Sequence, residues 1–179
     1  FRIPYIKSWK SSWYADKREY KDTLSLDLLV RQTLDKELTG IPLGDILISN
    51  TKDEVIAVVY TAKAALVLGK TGENKTNLET LLSNKLQKKV IIEVKEIKNP
   101  DANAKIVGFM VANQIEKRMP YKRAIKQAIK QAMEKGAKGI KIKVGWRLNG
   151  AEIARKETFK EGNIPTQTIR ADIDYATIR

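Results

Sequence analysis

Residues Ala64 to Leu86 read AALVLGKTGENKTNLETLLSNKL. This is a short apolar helical turn, a loop of Gly69, Lys70, Thr71 and Gly72, and then an amphipathic helix with Leu78, Leu81, Leu82 and Leu86 along one side. Two glycines bracketing a two-residue tip leave no side chain at either flank, so a sugar-phosphate backbone can approach the main chain closely. Lys70 adds a positive charge. The helix beginning near Glu73 adds free backbone N–H groups and the positive end of its dipole, both of which favour phosphate oxygens. Two glycines at this spacing also end one helix and begin another in proteins that bind nothing, so the loop by itself carries both readings.

Gly69-Lys70-Thr71 is also the end of a nucleotide-binding P-loop. That motif needs Gly five residues before its second Gly so that the backbone can wrap a triphosphate. The position is Ala64 here. A P-loop also follows directly from a buried strand, whereas the strand expected at Val55 to Thr61 ends well before Gly69, with AKAAL between them. The nucleotide-hydrolysis reading is therefore weak.

Composition narrows the function classes. The 179 residues suffice for one large or two small domains with their own cores. With 34 Lys and Arg against 21 Asp and Glu, the net charge is +13, and a surface this basic attracts polyanions. No apolar run approaches the ~18 residues of a membrane helix, and no secretory signal opens the sequence; no membrane partner is expected. There is no Cys and no His. That excludes disulfides, zinc sites built on those ligands, and Ser-His or Cys-His nucleophile pairs. Carboxylate and lysine chemistry stay open, but no metal, cofactor or catalytic residue is marked out. The lack of Cys fits a cytosolic compartment. The charge is concentrated: Lys105 to Arg147 holds twelve basic residues against Glu116 and Glu134. This block is the expected polyanion face.

Along the chain, residues 1–15 read as an irregular aromatic arm in which Trp9, Trp13 and Tyr14 either anchor the arm or stack on bases. Residues 16–98 read as one α+β domain. A helix is expected from Asp16 to Leu38 with Tyr20, Leu24, Leu28 and Leu34 as its apolar face, stopped by Thr39-Gly40-Ile41-Pro42. Strands at Asp45 to Ser49 and Val55 to Thr61 flank the hairpin residues Asn50-Thr51-Lys52-Asp53. The glycine loop and its helix follow, then a third strand at Val90 to Ile97. The order helix, strand, strand, helix, loop, helix, strand closes a three-stranded layer. Lys98-Asn99-Pro100-Asp101 marks a boundary, with Asp101 placed to cap the next helix. Residues 99–179 read as a second α/β domain, with a helix to about Arg118, a break at Met119-Pro120, and a helix from Tyr121 to Lys135. Three antiparallel strands are expected after it, at Ile140 to Val144, Ile153 to Phe159 and Thr168 to Tyr175. In the first of these, Lys141 and Lys143 alternate with Ile140, Ile142 and Val144, so one face is core and the other cationic.

The helix after Pro120 is the most informative. At about 100° per residue, Lys122, Arg123, Lys126 and Lys130 fall in one arc, and Ile125, Ala128, Ile129 and Ala132 in another. Charge runs are usually solvated faces that keep a protein soluble. Here no acidic residue interrupts the run between Glu116 and Glu134. Unrelieved like charges four residues apart cost helix stability, so a polyanion is expected to offset the repulsion.

WYADKREY (13–20), the Gly-Lys-Thr-Gly loop, EIKNPD (96–101), YKRAIKQAIKQAMEKGAKGIKIKV (121–144), GAEIARKE (150–157) and IPTQTIRADIDY (164–175) stand in one order across nearly the whole chain. In that order they resemble the family of the third protein of the small ribosomal subunit, in its bacterial or organellar form. The resemblance implies an N-terminal KH domain of type II topology followed by a C-terminal two-helix plus antiparallel-sheet domain. It further implies a place in the small-subunit head of a cytoplasmic or organellar ribosome. The implied partners are small-subunit rRNA, messenger RNA, and neighbouring ribosomal proteins, the tenth and fourteenth among them. In that family the C-terminal domain lines the channel where messenger RNA enters, and a basic cluster helps unwind structured message without nucleotide hydrolysis of its own. Aligned through YKRAIKQ, the cluster falls on Lys122, Arg123 and Lys126, with Lys130, Lys141 and Lys143 as a supporting basic face. Three departures from the family pattern stand out. Lys122 replaces an Arg, keeping charge but losing bidentate geometry. Trp146 stands where a small residue is usual. Relatives continue into one more strand beyond IRADIDYATIR.

Two other function classes share parts of this pattern. A free-standing KH-type RNA-binding regulator would have the loop and the basic face but not the second-domain phrases. A DNA lyase using a lysine Schiff base fits a Lys-rich chain, but nothing in the sequence marks one lysine as desolvated.

Overall fold

The computed structural model describes residues 2, 6–51, 54–69 and 72–178. Of the expected features, Lys52 and Asp53 of the hairpin and Lys70 and Thr71 of the glycine loop lie outside the described residues. The chain divides into two compact units, one of residues 7–100 and one of residues 101–178 with Arg2 and Ile6.

The first unit contains, in chain order, β1 (Ser11–Ser12), α1 (Tyr20–Glu37), β2 (Leu43–Asn50), β3 (Glu54–Thr61), α2 (Ala64–Leu68), α3 (Glu73–Leu86) and β4 (Lys89–Glu96). The sheet order is β1-β2-β3-β4, with β2 and β3 antiparallel and the outer two pairings parallel. A parallel partner cannot be reached by a tight turn, so the chain must cross over between β3 and β4. That crossover is α2, the glycine loop and α3. The strict alternation of β3 sends Val55, Ala57, Val59 and Thr61 inward. They meet Val90 and Ile92 of β4, Val30, Leu34 and Leu38 around α1, and Leu78, Leu82 and Leu86 of α3 in one apolar cluster. Side chains of α3 also cover the edge of β4: Ile92 N donates to Glu79 Oε1 at 2.9 Å and Val90 N to Ser83 Oγ at 3.3 Å. Covering unpaired strand groups in this way blocks edge-to-edge association.

Two expectations for this unit are corrected. The arm is not wholly irregular, because Ser11–Ser12 pairs with Ile48 and Ser49 and gives the sheet a fourth strand. The buried face of α1 is also rotated from the expected one. Asp27, Val30, Thr33 and Leu34 are buried, while Tyr20 (51% exposed), Leu24 and Leu28 (49%) lie outside. The cause is polar. Asp27, only 6% exposed, accepts from Arg31 Nε at 3.0 Å, from Trp13 Nε1 at 3.3 Å and from Ser11 Oγ. Arg31 in turn donates to the carbonyls of Ile46 at 2.9 Å and Lys10 at 2.8 Å. Orienting this pair inward fixes the phase of the helix and straps the arm to β2. Trp13 is thereby an anchor, whereas Trp9 and Tyr14 stand exposed.

The glycine loop departs from α2 in a conformation closed to other residues. Gly69 has φ 79° and ψ −179°, and Gly72 has φ 82° and ψ 3°. A Cβ on Gly69 would lie 3.0 Å from Asn74 Cγ.

The second unit contains α4 (Ala104–Glu116), α5 (Tyr121–Glu134), β5 (Gly139–Trp146) and β6 (Arg155–Gly162). The expected cap Asp101 sits instead in a 3₁₀ turn, Pro100–Ala102. The cap of α4 is Asn103, whose Oδ1 accepts from Lys105 N at 3.0 Å and Ile106 N at 3.2 Å. Helix α4 ends with Arg118 at φ 62°, Arg118 N bonding Ile115 O and Met119 N bonding Gln114 O. This is a left-handed helix end that usually employs Gly. Pro120 then starts α5. Val107 and Val111 of α4 and Tyr121, Ile125, Ala128 and Ile129 of α5 cluster with Ile140, Ile142, Val144 and Phe159 of the β5-β6 ribbon.

The third strand expected at Thr168 to Tyr175 is absent from the described structure. That segment is held by side chains rather than by a ladder. Arg2 donates to the carbonyls of Thr166 at 2.8 Å and of Thr168 and Ala171 at 3.2 Å, and Ala104 N donates to Asp174 Oδ2 at 2.8 Å. Gly108 leaves room on α4 for Ile178, which a Cβ would approach to 2.9 Å. Carbonyls turned toward one guanidinium cannot also alternate along a strand edge.

Two substitutions test this account by urea denaturation. Asp27→Ala leaves Arg31 without its carboxylate and is expected to cost ~2 kcal/mol; an unchanged midpoint would show that the network does not hold the arm. Gly69→Ala is expected to cost ~1–3 kcal/mol, because its backbone region is open essentially to Gly alone. Gly72→Asn, in ordinary left-handed geometry, is expected to cost far less.

Candidate nucleic-acid interface

The glycine loop closes a helix-loop-helix corner at one end of the first unit. Gly72 stands at the start of α3 and has no side chain with which to cap the first N–H groups of this 14-residue helix. Both glycines have positive φ; at Gly72 nothing lies within 4 Å of where a Cβ would stand, whereas at Gly69 the Asn74 side chain occupies that side. Thr61 ends β3 and α2 intervenes before Gly69, so the strand-to-loop geometry of a P-loop is not present. Leu66, on α2 three residues before Gly69, is exposed. The sequence reading did not single it out, because an apolar residue in AALVL reads as core.

In the second unit α5 separates its faces completely. Tyr121, Ala124, Ile125, Ala128, Ile129 and Ala132 are buried, and Lys122, Arg123, Lys126, Gln127 and Lys130 are exposed. The five exposed side chains border an open recess of about 480 Å³. Lys122 Nζ stands 5.9 Å from the centre of the Tyr121 ring. Tyr121 is itself fixed by donating its hydroxyl to the carboxylate of Glu157, 3.1 Å from each oxygen. The base of the cluster is therefore tied to the ribbon, while its charges are free to meet a ligand. Lys130 lies 3.9 Å from Glu134 across an exposed helical turn and is partly engaged.

Lys141 and Lys143 are exposed but do not join that recess. Alternation along β5 turns Ile140, Ile142 and Val144 toward α5 and the two lysines to the opposite face. The antiparallel register sets Lys141 opposite Lys160, Lys143 opposite Thr158 and Gly145 opposite Lys156. Lys156 and Lys160 therefore share the face of Lys141 and Lys143. A single sequence could not show this, because cross-strand register is fixed by the turn and by the buried face of both strands. Trp146, paired in register with Arg155, is 75% exposed.

Comparison with known proteins agrees with this architecture. The family model of the KH domain matches residues 29–102, and that of the C-terminal domain of ribosomal protein S3 matches residues 111–179. The chain is 44% identical over 176 residues to small ribosomal subunit protein uS3 of Marinobacter nauticus, covering 98% of this chain and 78% of the relative. It is 46% identical over 175 residues to uS3 of Streptococcus suis, covering 98% and 80%. To uS3 of Photobacterium profundum it is 41% identical over 176 residues, covering 98% and 77%. Two family matches in chain order and identities of this size over nearly the whole chain show that it belongs to the small ribosomal subunit protein uS3 family, with an RNA-binding KH domain ahead of the S3 C-terminal domain.

Proposed function

We propose that the chain is a structural RNA-binding component of the small-subunit head that binds rRNA and lines the channel where messenger RNA enters. Lys122, Arg123 and Lys126 hold the phosphates of incoming message there. The observation that carries this reading is the one-sided face of α5: three cations on its first turns, none ion-paired among the described residues, above a fully buried opposite face. Translocation driven elsewhere pulls the message. The helix holds unpaired strands as they are drawn past it, which favours opening of a hairpin without nucleotide hydrolysis. The glycine loop with Lys70 and Thr71 is assigned to rRNA backbone contact, supported by the open space at Gly72. Protein neighbours, the tenth and fourteenth small-subunit proteins, are assigned to the exposed stripe of Tyr20, Leu24 and Leu28, whose apolar character suits a protein better than a phosphate backbone. The site of action is a ribosome, cytoplasmic or organellar; among the described residues no helix is long and apolar enough to cross a membrane.

Lys122→Ala, Arg123→Ala and Lys126→Ala together are expected to slow ribosome passage through a message hairpin several-fold while leaving unstructured message little affected. In binding to unpaired RNA the same variant is expected to lower the salt slope by about 2, at ~0.7 per lost contact. Equal slowing on both messages would remove the unwinding assignment. Lys70→Asp is expected to weaken rRNA binding and subunit assembly; wild-type behaviour would make the loop a helix connector.

A further inference from the structure

We infer that the outer face of the β5-β6 ribbon is a second RNA surface, separate from α5, that takes the sugar-phosphate backbone of a base-paired RNA segment. The register gives this face eight positions: Gly139, Lys141, Lys143 and Gly145 on β5, and Lys156, Thr158, Lys160 and Gly162 on β6. Four are lysines, one is threonine and three are glycines. No carboxylate and no apolar side chain stands among them. The acidic residues of β6, Glu157 and Glu161, belong to the other parity, and Glu157 is engaged by Tyr121. None of the four lysines is ion-paired among the described residues.

This arrangement is costly for an isolated protein. Lysine is disfavoured in strands, like charges directly opposite across a ladder destabilise it, and a two-stranded ribbon has little stability to spare. Lys141 and Lys160 are such a pair. The glycine opposite Lys156 makes space for that lysine: a Cβ on Gly145 would come within 3.1 Å of Lys156 Cγ. The lysine stem thus lies across the bare backbone of β5, and the charge is carried on the face.

The chemistry of the face selects its ligand. Protein interfaces are depleted in lysine at their cores and need apolar or aromatic anchors, and this face has neither. Unpaired RNA is held by stacking its bases on aromatic rings, and none stands among these eight positions. What remains is backbone. An A-form helix presents phosphates and 2′-hydroxyls across a wide, shallow groove, which a ribbon face carrying point charges and one hydroxyl can follow without reading bases. The surface differs from the message-holding face of α5 in position and in ligand, because α5 covers the opposite side of the same ribbon.

The test measures binding of the full chain to a 20-base-pair RNA duplex and to one of its strands alone across a salt series. Two variants are compared with the unaltered chain: K141Q/K143Q/K156Q/K160Q, and K122Q/R123Q/K126Q. The ribbon variant is expected to lose duplex affinity about tenfold or more near physiological salt, with a salt slope lower by up to about 3.6, at ~0.9 per lost contact. Its affinity for the unpaired strand should stay within about twofold, and its melting temperature should be unchanged or raised by relief of the lysine opposition. The α5 variant is expected to show the reverse preference. Unchanged duplex affinity and salt slope in a folded ribbon variant would overturn the inference and leave the α5 reading standing. Equal loss of duplex and strand would also overturn it, since one undivided surface would then serve both. Loss of binding to polyglutamate with duplex binding intact would assign the face to an acidic protein instead. Failure of the α5 variant alone to weaken strand binding would count against the message-holding reading and not against this one.

Discussion

A helix or ribbon that buries one face must put its charges on the other, and in the second unit this constraint places the cations of α5 and the four lysines on the outer face of the β5-β6 ribbon. Ile125, Ala128 and Ile129 of α5 pack in one cluster with Ile140, Ile142, Val144 and Phe159 of the β5-β6 ribbon, and Ala124 and Ala132 are buried on the same helix. Once that seam is dry, Lys122, Arg123 and Lys126 have no route inward, since an unpaired buried ammonium or guanidinium is too costly. The same seam turns Lys141 and Lys143 away on the far side. One apolar contact thus creates two cationic surfaces facing apart.

The first unit obeys a related constraint through its backbone. Because β3 and β4 run parallel, the connection must cross from one end of the sheet to the other, and it does so through two helices with the glycine loop between them. Leu78, Leu82 and Leu86 hold α3 on the sheet and Val67 holds α2. The loop between two fixed helices can then keep the positive φ values that bring main chain rather than side chain to the surface. In the proposed function the first unit offers backbone and the second offers charge, two different ways to meet a phosphate.

Polar contacts set details that hydrophobic patterning could not. Tyr20, Leu24, Leu28 and Leu34 look like the inner face of α1, but the Asp27 and Arg31 pair needs the carbonyls of Lys10 and Ile46 and turns the helix to reach them. Alternation in Thr168 to Tyr175 looks like a strand, yet Arg2, more than 160 residues away in sequence, takes the carbonyls of that segment. Asp101 looks like a cap, but Asn103 has the geometry for it. In each case the competing partner is a side chain whose position depends on the rest of the fold.

Periodicity and glycine placement sufficed to read the order of the helices and strands between Tyr20 and Gly162 and the division of α5 into apolar and basic arcs. These depend on local spacing, which is written directly in the chain. Gly69 was legible for the same reason, since its backbone region is open essentially to Gly alone. Tertiary structure alone decided which lysines stand together. Lys141 and Lys143 were readable as one strand's outward face, but their union with Lys156 and Lys160, and their separation from Lys122, Arg123 and Lys126, follow from cross-strand register and from the side of the ribbon that α5 covers. Register and layer order are set by contacts between residues far apart in sequence, and no local spacing encodes them.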